Sequence, residues 1–111
     1  MIAVIFESQP LPGKKEAYLN AAAVLKEHLA KIEGFISIER FESLTQPGKL
    51  LALSFWRDEQ AVENWRNQDN HRRVQDNSRR TIFHDYRLRV AHVVRDYGLN
   101  DRAEAPQDST S

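Results

Sequence analysis

The chain has 111 residues, 41% hydrophobic and 29% charged, with sixteen basic side chains against sixteen acidic ones and no cysteine. That length limits it to one domain, the apolar content excludes disorder along the whole chain, and the balanced charge supplies no overall field to recruit nucleic acid or an anionic membrane. Without cysteine there is no disulfide, thiolate nucleophile, iron–sulfur cluster or Cys-ligated zinc.

Ile2, Val4 and Phe6 alternate with Ala3, Ile5 and Glu7, which predicts a first strand closed off by Pro10, Pro12 and Gly13. This apolar run is too short for a membrane span or a signal core, so a soluble, cytoplasmic protein is expected. From Lys14 the period changes. Tyr18, Ala22, Leu25, Leu29 and Ile32 step by four and three along one helical stripe, and Gly34 stands where a left-handed C-terminal cap belongs.

Phe35 to Leu44 and Leu50 to Trp56 read as two strands of a hairpin, turning at Pro47 and Gly48. Asp58 is placed to cap a second helix, with Ala61, Val62 and Trp65 facing inward. Beyond Trp65 the stripe turns polar, which predicts a break near Asp69 and a short further helix to about Arg80. Phe83 to Tyr97 alternates again, with His84, Tyr86, Leu88, Val90, His92 and Val94 on one face. Fifteen extended residues span ~50 Å, more than the ~35 Å width of a compact domain of this size, so the strand must bend or reach a second subunit. Residues 1–98 thus form the domain, and 99–111, with no aromatic residue, are expected to be a disordered tail.

The order strand, helix, strand, strand, helix, strand is the α+β, ferredoxin-like βαββαβ plan, an antiparallel sheet with both helices on one face. Residues of both parities are apolar on the first and third strands, so the uncovered face also seeks cover, and a second copy of the chain would supply it.

Four isolated glycines form no phosphate-cradling or dinucleotide loop, and there is no Gly-x-Ser-x-Gly elbow. No metal site is expected: His84 and His92 lie ~26 Å apart on an extended strand, and His28 and His71 fall on different helices. Residues 66–89 carry seven basic and three acidic side chains, a solvated helix surface or an attraction for an anionic ligand. His71, beside Asp69 and Arg72, is either a surface histidine or a base of suitable pKa for a phenolic or enolic proton. Trp56 and Trp65 are core or the walls of an aromatic pocket. On the last strand, His84 and Tyr86 share one face, Asp85 and Arg87 the other.

The segment Leu51 to His71 resembles the antibiotic biosynthesis monooxygenase family: a strand ending in Phe55 and Trp56, an acidic helix start, Ala and Trp65 within the helix, and a His one to two turns later. Gly34-Phe35 and the closing Asp85-Tyr86-Arg87-Leu88-Arg89-Val90 fit as well. The resemblance covers about residues 1–97. It implies a homodimeric α/β barrel and a pocket between sheet and helices. It further implies oxygenation of an aromatic, phenolic or quinol-type small molecule by O₂ with no cofactor or metal, the deprotonated substrate supplying the electrons. His71 would be the base, Trp65 the wall, Phe6, Phe55 and Trp56 the packing that sets pocket volume, and Tyr86 and Arg87 the substrate and charge contacts. A non-catalytic binding barrel on the same scaffold is the alternative. A haem-degrading branch is disfavoured, because its strand Asn and helix His positions fall on Phe6 and Gln75.

Overall fold

The structure, a computed structural model, describes the backbone of residues 1–76 and 83–107 and the side chains of 1–68 and 83–107. Its elements run β1 (Ile2–Pro10), α1 (Lys15–Leu29), β2 (Phe35–Glu42), β3 (Leu50–Trp56), α2 (Glu59–Asp76) and β4 (Phe83–His92). The sheet is antiparallel throughout in the order β2-β3-β1-β4. This is the ferredoxin-like plan expected from the sequence, with β2 and β4 as edges.

Register decides what each face carries, because residues opposite one another share a face. Ile2 pairs with Trp56 and His92, Val4 with Ser54 and Val90, Phe6 with Ala52 and Leu88, Ser8 with Leu50 and Tyr86. This is the helix side. Ile2, Val4 and Trp56 are buried there with Leu29 of α1 and Ala61 and Val62 of α2, and Leu25, Ile32, Phe35, Ile38 and Trp65 pack around them. The opposite parity gives the outer face: Ala3, Ile5 and Glu7 of β1, Leu51, Leu53 and Phe55 of β3, and Arg87, Arg89 and Ala91 of β4. Ile5, Leu51, Leu53 and Phe55 all stay partly open to solvent, and Phe41 is exposed. Both faces are therefore apolar, and only one is covered within the chain.

Four local expectations differ from the structure. α1 ends at Leu29, not at Gly34: a run of short-range bonds, Lys31 N–H to His28, Ile32 N–H to Leu29 and Phe35 N–H to Ile32, carries the chain into β2. Gly34 instead accepts from Arg57 N–H at 2.7 Å and adopts φ +91°, tying β2 to the end of β3. β2 stops at Glu42, before Leu44, because Ser43 turns: its N–H donates to Lys49 C=O, and its Oγ accepts from the N–H groups of Thr45 and Gln46. α2 runs unbroken through Asp69 to Asp76, since its backbone bonds need no apolar stripe and no Gly or Pro interrupts it. β4 ends at His92; Val93 N–H closes on Met1 C=O, where β1 itself begins, so no partner strand continues.

The Asp58 cap is as expected: its Oδ1 accepts from Ala61 N–H at 2.9 Å. After β4 the chain bonds mostly to itself. Asp96 N–H donates to Glu104, Gly98 N–H to Asp101 C=O, and the Arg102 guanidinium lies 5.1 Å over the Tyr97 ring. No helix among the described residues is long and apolar enough to cross a membrane.

Candidate functional site

Two aromatic clusters stand on the helix side, one at each end of the sheet. At the β1 C-terminal end Phe6 meets Phe83 and Tyr86, each at 5.6 Å between ring centroids, and Tyr18 of α1 closes on Phe83 at 5.4 Å. At the other end Trp56 packs edge-on with Phe35 and stacks on Trp65 of α2. Four residues of strand separate the Phe6 row from the Trp56 row, about 13 Å.

Between the clusters the helices leave β4 open. Tyr86, Leu88 and Val90 all point to the helix side, yet remain 48%, 43% and 46% exposed. They form an apolar trough along the edge strand, with Phe6 beside it. Nearby, Trp65 Nε1 and Ser8 Oγ are both sealed from solvent and have no hydrogen-bond partner among the described residues. A buried polar group without a partner costs free energy of about 1–3 kcal/mol, so both atoms are destabilising as the chain stands. His92 ends the trough, its Nε2 3.4 Å from Glu59 at the start of α2.

Of the residues singled out in the sequence, Phe6, Trp56, Trp65 and Tyr86 share this side of the sheet. Phe55 and Arg87 do not: Phe55 pairs with Ala3 and Arg87 with Glu7, on the outer face. The sheet itself separates them from the trough. The His71 side chain and the arginines at 72, 73, 79 and 80 lie outside the described residues. Tyr18 and Phe83 were not singled out, because only the pairing of β4 with β1 brings Phe83 to Phe6 and beneath Tyr18. Among the described residues no three His, Asp or Glu side chains gather as metal ligands.

Electrostatic tuning concentrates at the entry to α2. The Ala61 N–H, then the Arg57 guanidinium, hold the Asp58 carboxyl below its ordinary pKa, and the hydrogen bonds to Asp58 and Glu33 raise that of Arg57. These groups fix the helix that carries Trp65 rather than act in the trough.

A family model described as antibiotic biosynthesis monooxygenase matches residues 1–77. The chain belongs to the antibiotic biosynthesis monooxygenase family. It is 43% identical over 101 residues to the jasmonate monooxygenase ABM of Pyricularia oryzae, a match over 91% of this chain and 47% of that protein. The chain thus spans about half the length of that curated relative. SnoaB, a cofactor-independent oxygenase from Streptomyces nogalater, superposes with a TM-score of 0.72 at 12% identity over 86% of this chain and 94% of that one. A conserved protein from Methanosarcina mazei superposes at 0.70 and 22% identity, over 82% and 90%. At such identities these two structures speak to the fold alone.

Proposed function

We propose that this member of the family is a monooxygenase that takes a small, largely apolar molecule into the helix-side trough along β4 and adds oxygen from O₂. The observation that carries the reading is the open apolar strip of Tyr86, Leu88 and Val90 on the helix side of β4, with Phe6 against Tyr86, in a chain of this family.

For a phenolic or quinol-type substrate the electrons come from the substrate. A base removes the acidic proton, the anion passes one electron to O₂, and the resulting radical pair joins as a peroxide. Its O–O bond then breaks with loss of water. A CH₂ group and O₂ become C=O and H₂O, with no electron left over. In this scheme His71 is the base, Trp65 donates to the developing oxyanion, and Phe6 and Tyr86 wall the ring. Water displaced by the bound ligand would raise the strength of each of these contacts.

Similarity to the jasmonate monooxygenase favours a second substrate class, a cyclopentanone bearing a carboxylate. A saturated carbon of such a molecule has no electron pair to lend, so that reaction needs an external two-electron reductant such as NADPH. Two copies of the chain, in the cytoplasm, would join through their outer sheet faces, leaving one trough in each.

Oxygen uptake tests both classes: a hydroquinone panel without reductant, and jasmonate with NADPH. Uptake above the spontaneous rate that falls at least tenfold in His71→Ala and Trp65→Phe is the expected result. Ligand binding with no uptake would leave a non-catalytic binding module instead, and a Soret shift on adding haem would revive the haem-degrading alternative.

A further inference from the structure

This inference rests on the outer-face pairing of two copies given above and concerns how the copies are turned relative to each other. One row of the outer face runs straight across the sheet: Glu39 of β2 pairs with Leu53 of β3, Leu53 with Ile5 of β1, and Ile5 with Arg89 of β4. The row is anionic at one edge, apolar in the middle and cationic at the other. Strands stand about 4.8 Å apart, so the two charged ends are about 14 Å apart with Leu53 and Ile5 between them, too far to meet within one chain.

Glu39 is exposed, and its carboxylate takes part in no ion pair among the described residues. At the other edge Arg89 meets Glu7 at 3.3 Å, but Glu7 is shared with Lys49 at 3.4 Å, so two cations face one carboxylate. Arg87, on the same face of β4, is exposed and has no ionic partner among the described residues, and Asp85 beyond it accepts from Tyr86 N–H. The β4 edge thus holds Lys49, Arg87 and Arg89 against Glu7 and Asp85 and is net positive.

Two identical faces pack about a two-fold axis that lies in the interface, either across the strands or along them. An axis across the strands sets β2 on β2 and β4 on β4, so each Glu39 faces the partner's Glu39 and the arginines face the partner's arginines. An axis along the strands keeps every row level and reverses its order. Glu39 then lies over the partner's Arg89 and Leu53 over the partner's Ile5. In the next row, Phe41, Leu51, Glu7 and Arg87, the exposed Phe41 ring lies under the partner's Arg87. The angle of about 30° between packed sheets shifts facing edges by a few ångströms, within the reach of an arginine side chain.

We propose that a second copy of this chain docks on the outer face about an axis along the strands, and that each Glu39 is the carboxylate missing from the partner's group of Lys49, Glu7 and Arg89. The apolar centre supplies the affinity and the charged edges the orientation.

Sedimentation over a dilution series tests this with charge-reversed variants. Glu39→Arg and Arg89→Glu should each raise the dissociation constant of the wild-type dimer about tenfold or more, since each sets like charges edge to edge. An equimolar mixture of the two, and the double variant alone, should recover wild-type affinity, because opposite charges then face each other again at both edges. Glu39→Gln and Arg89→Gln form a second cycle that places no extra carboxylate beside Glu7: their double variant should lose no more than either single one. A wild-type dimer unmoved by the single changes, losses that neither the mixture nor the double variant recovers, or additive losses in the neutral cycle overturn this orientation. A single-chain mass for wild type removes the pairing of copies as well.

Discussion

Trp56 and Trp65 stack with centroids 5.6 Å apart and planes 29° from parallel, but their N–H groups end differently. Trp56 donates to Ser54 Oγ at 2.9 Å within the core, while Trp65 has no acceptor. One ring completes the packing between β3 and the helices; the other, on α2, keeps a sealed N–H with no acceptor among the described residues. Trp65→Phe keeps a stacked ring and should change unfolding free energy by no more than about 1 kcal/mol while lowering turnover tenfold or more. Trp56→Ala removes a fully buried ring and should cost about 3–5 kcal/mol. Denaturant melts beside oxygen-uptake rates separate the two, and a large stability loss in Trp65→Phe would make it a core residue.

Asp58 positions α2, and with it Trp65. Its folded-state pKa is lowered from the ordinary 3.8 by the Ala61 N–H and then by Arg57, so its charged-state contribution is present above about pH 4 and is lost as pH falls through the folded value. Asp58→Ala should lower the melting temperature by a few degrees at neutral pH. Asp58→Asn, which keeps a capping oxygen, should fall short by less, and its gap to wild type should close in scans carried below pH 4. A gap that stays constant with pH would mean the carboxylate charge contributes nothing.

The element order, the sheet and the hairpin were legible because they rest on periodicity: Ile2, Val4 and Phe6 alternate, and Tyr18, Ala22 and Leu29 recur at helical spacing. Element ends were less so. The end of α1 depends on how Arg57 N–H reaches Gly34 C=O, a contact between residues 23 positions apart that no local pattern announces. The candidate residues could be named from the sequence, but not the sheet face each one occupies. Tyr86 and Arg87 are neighbours in sequence, and only the pairing of Ser8 with Tyr86 shows which of them meets the helices.

Gly34 and Gly13 make a controlled pair. Both have positive φ, +91° and +78°, but a Cβ on Gly34 would stand 2.7 Å from Ala61 Cβ, whereas one on Gly13 meets nothing within 4 Å. Gly13→Ala should cost about 1 kcal/mol of backbone strain alone. Gly34→Ala adds displacement of α2 and should cost about 2–3 kcal/mol. Equal losses in denaturant melts would show that α2 is not seated against this turn.

The segment after β4 should be dispensable for stability. Its bonds from Asp96 to Ala105 are local, and Val94 and Leu99 are about four-fifths exposed. Truncation after Gly98 should leave the melting temperature within a degree or two of wild type. A loss of several degrees would mean that these exposed side chains pack against a second copy.

The outer sheet face is where a second copy is expected to bind. Ile5, Leu51, Leu53 and Phe55 form an open apolar patch, edged by Glu7, which holds Lys49 at 3.4 Å and Arg89 at 3.3 Å. Covering this face with a second copy buries the apolar centre and leaves the charged triad at its margin, the arrangement expected of a stable interface. Sedimentation should give twice 12.9 kDa. Leu53→Lys places a charge at the centre of the patch and should shift the mass to that of a single chain at micromolar concentration, without touching the helix-side trough. The trough's affinity for hydroquinone is therefore expected to survive in the Leu53→Lys monomer. A single-chain mass for wild type, or an unchanged mass for Leu53→Lys, would place the interface elsewhere.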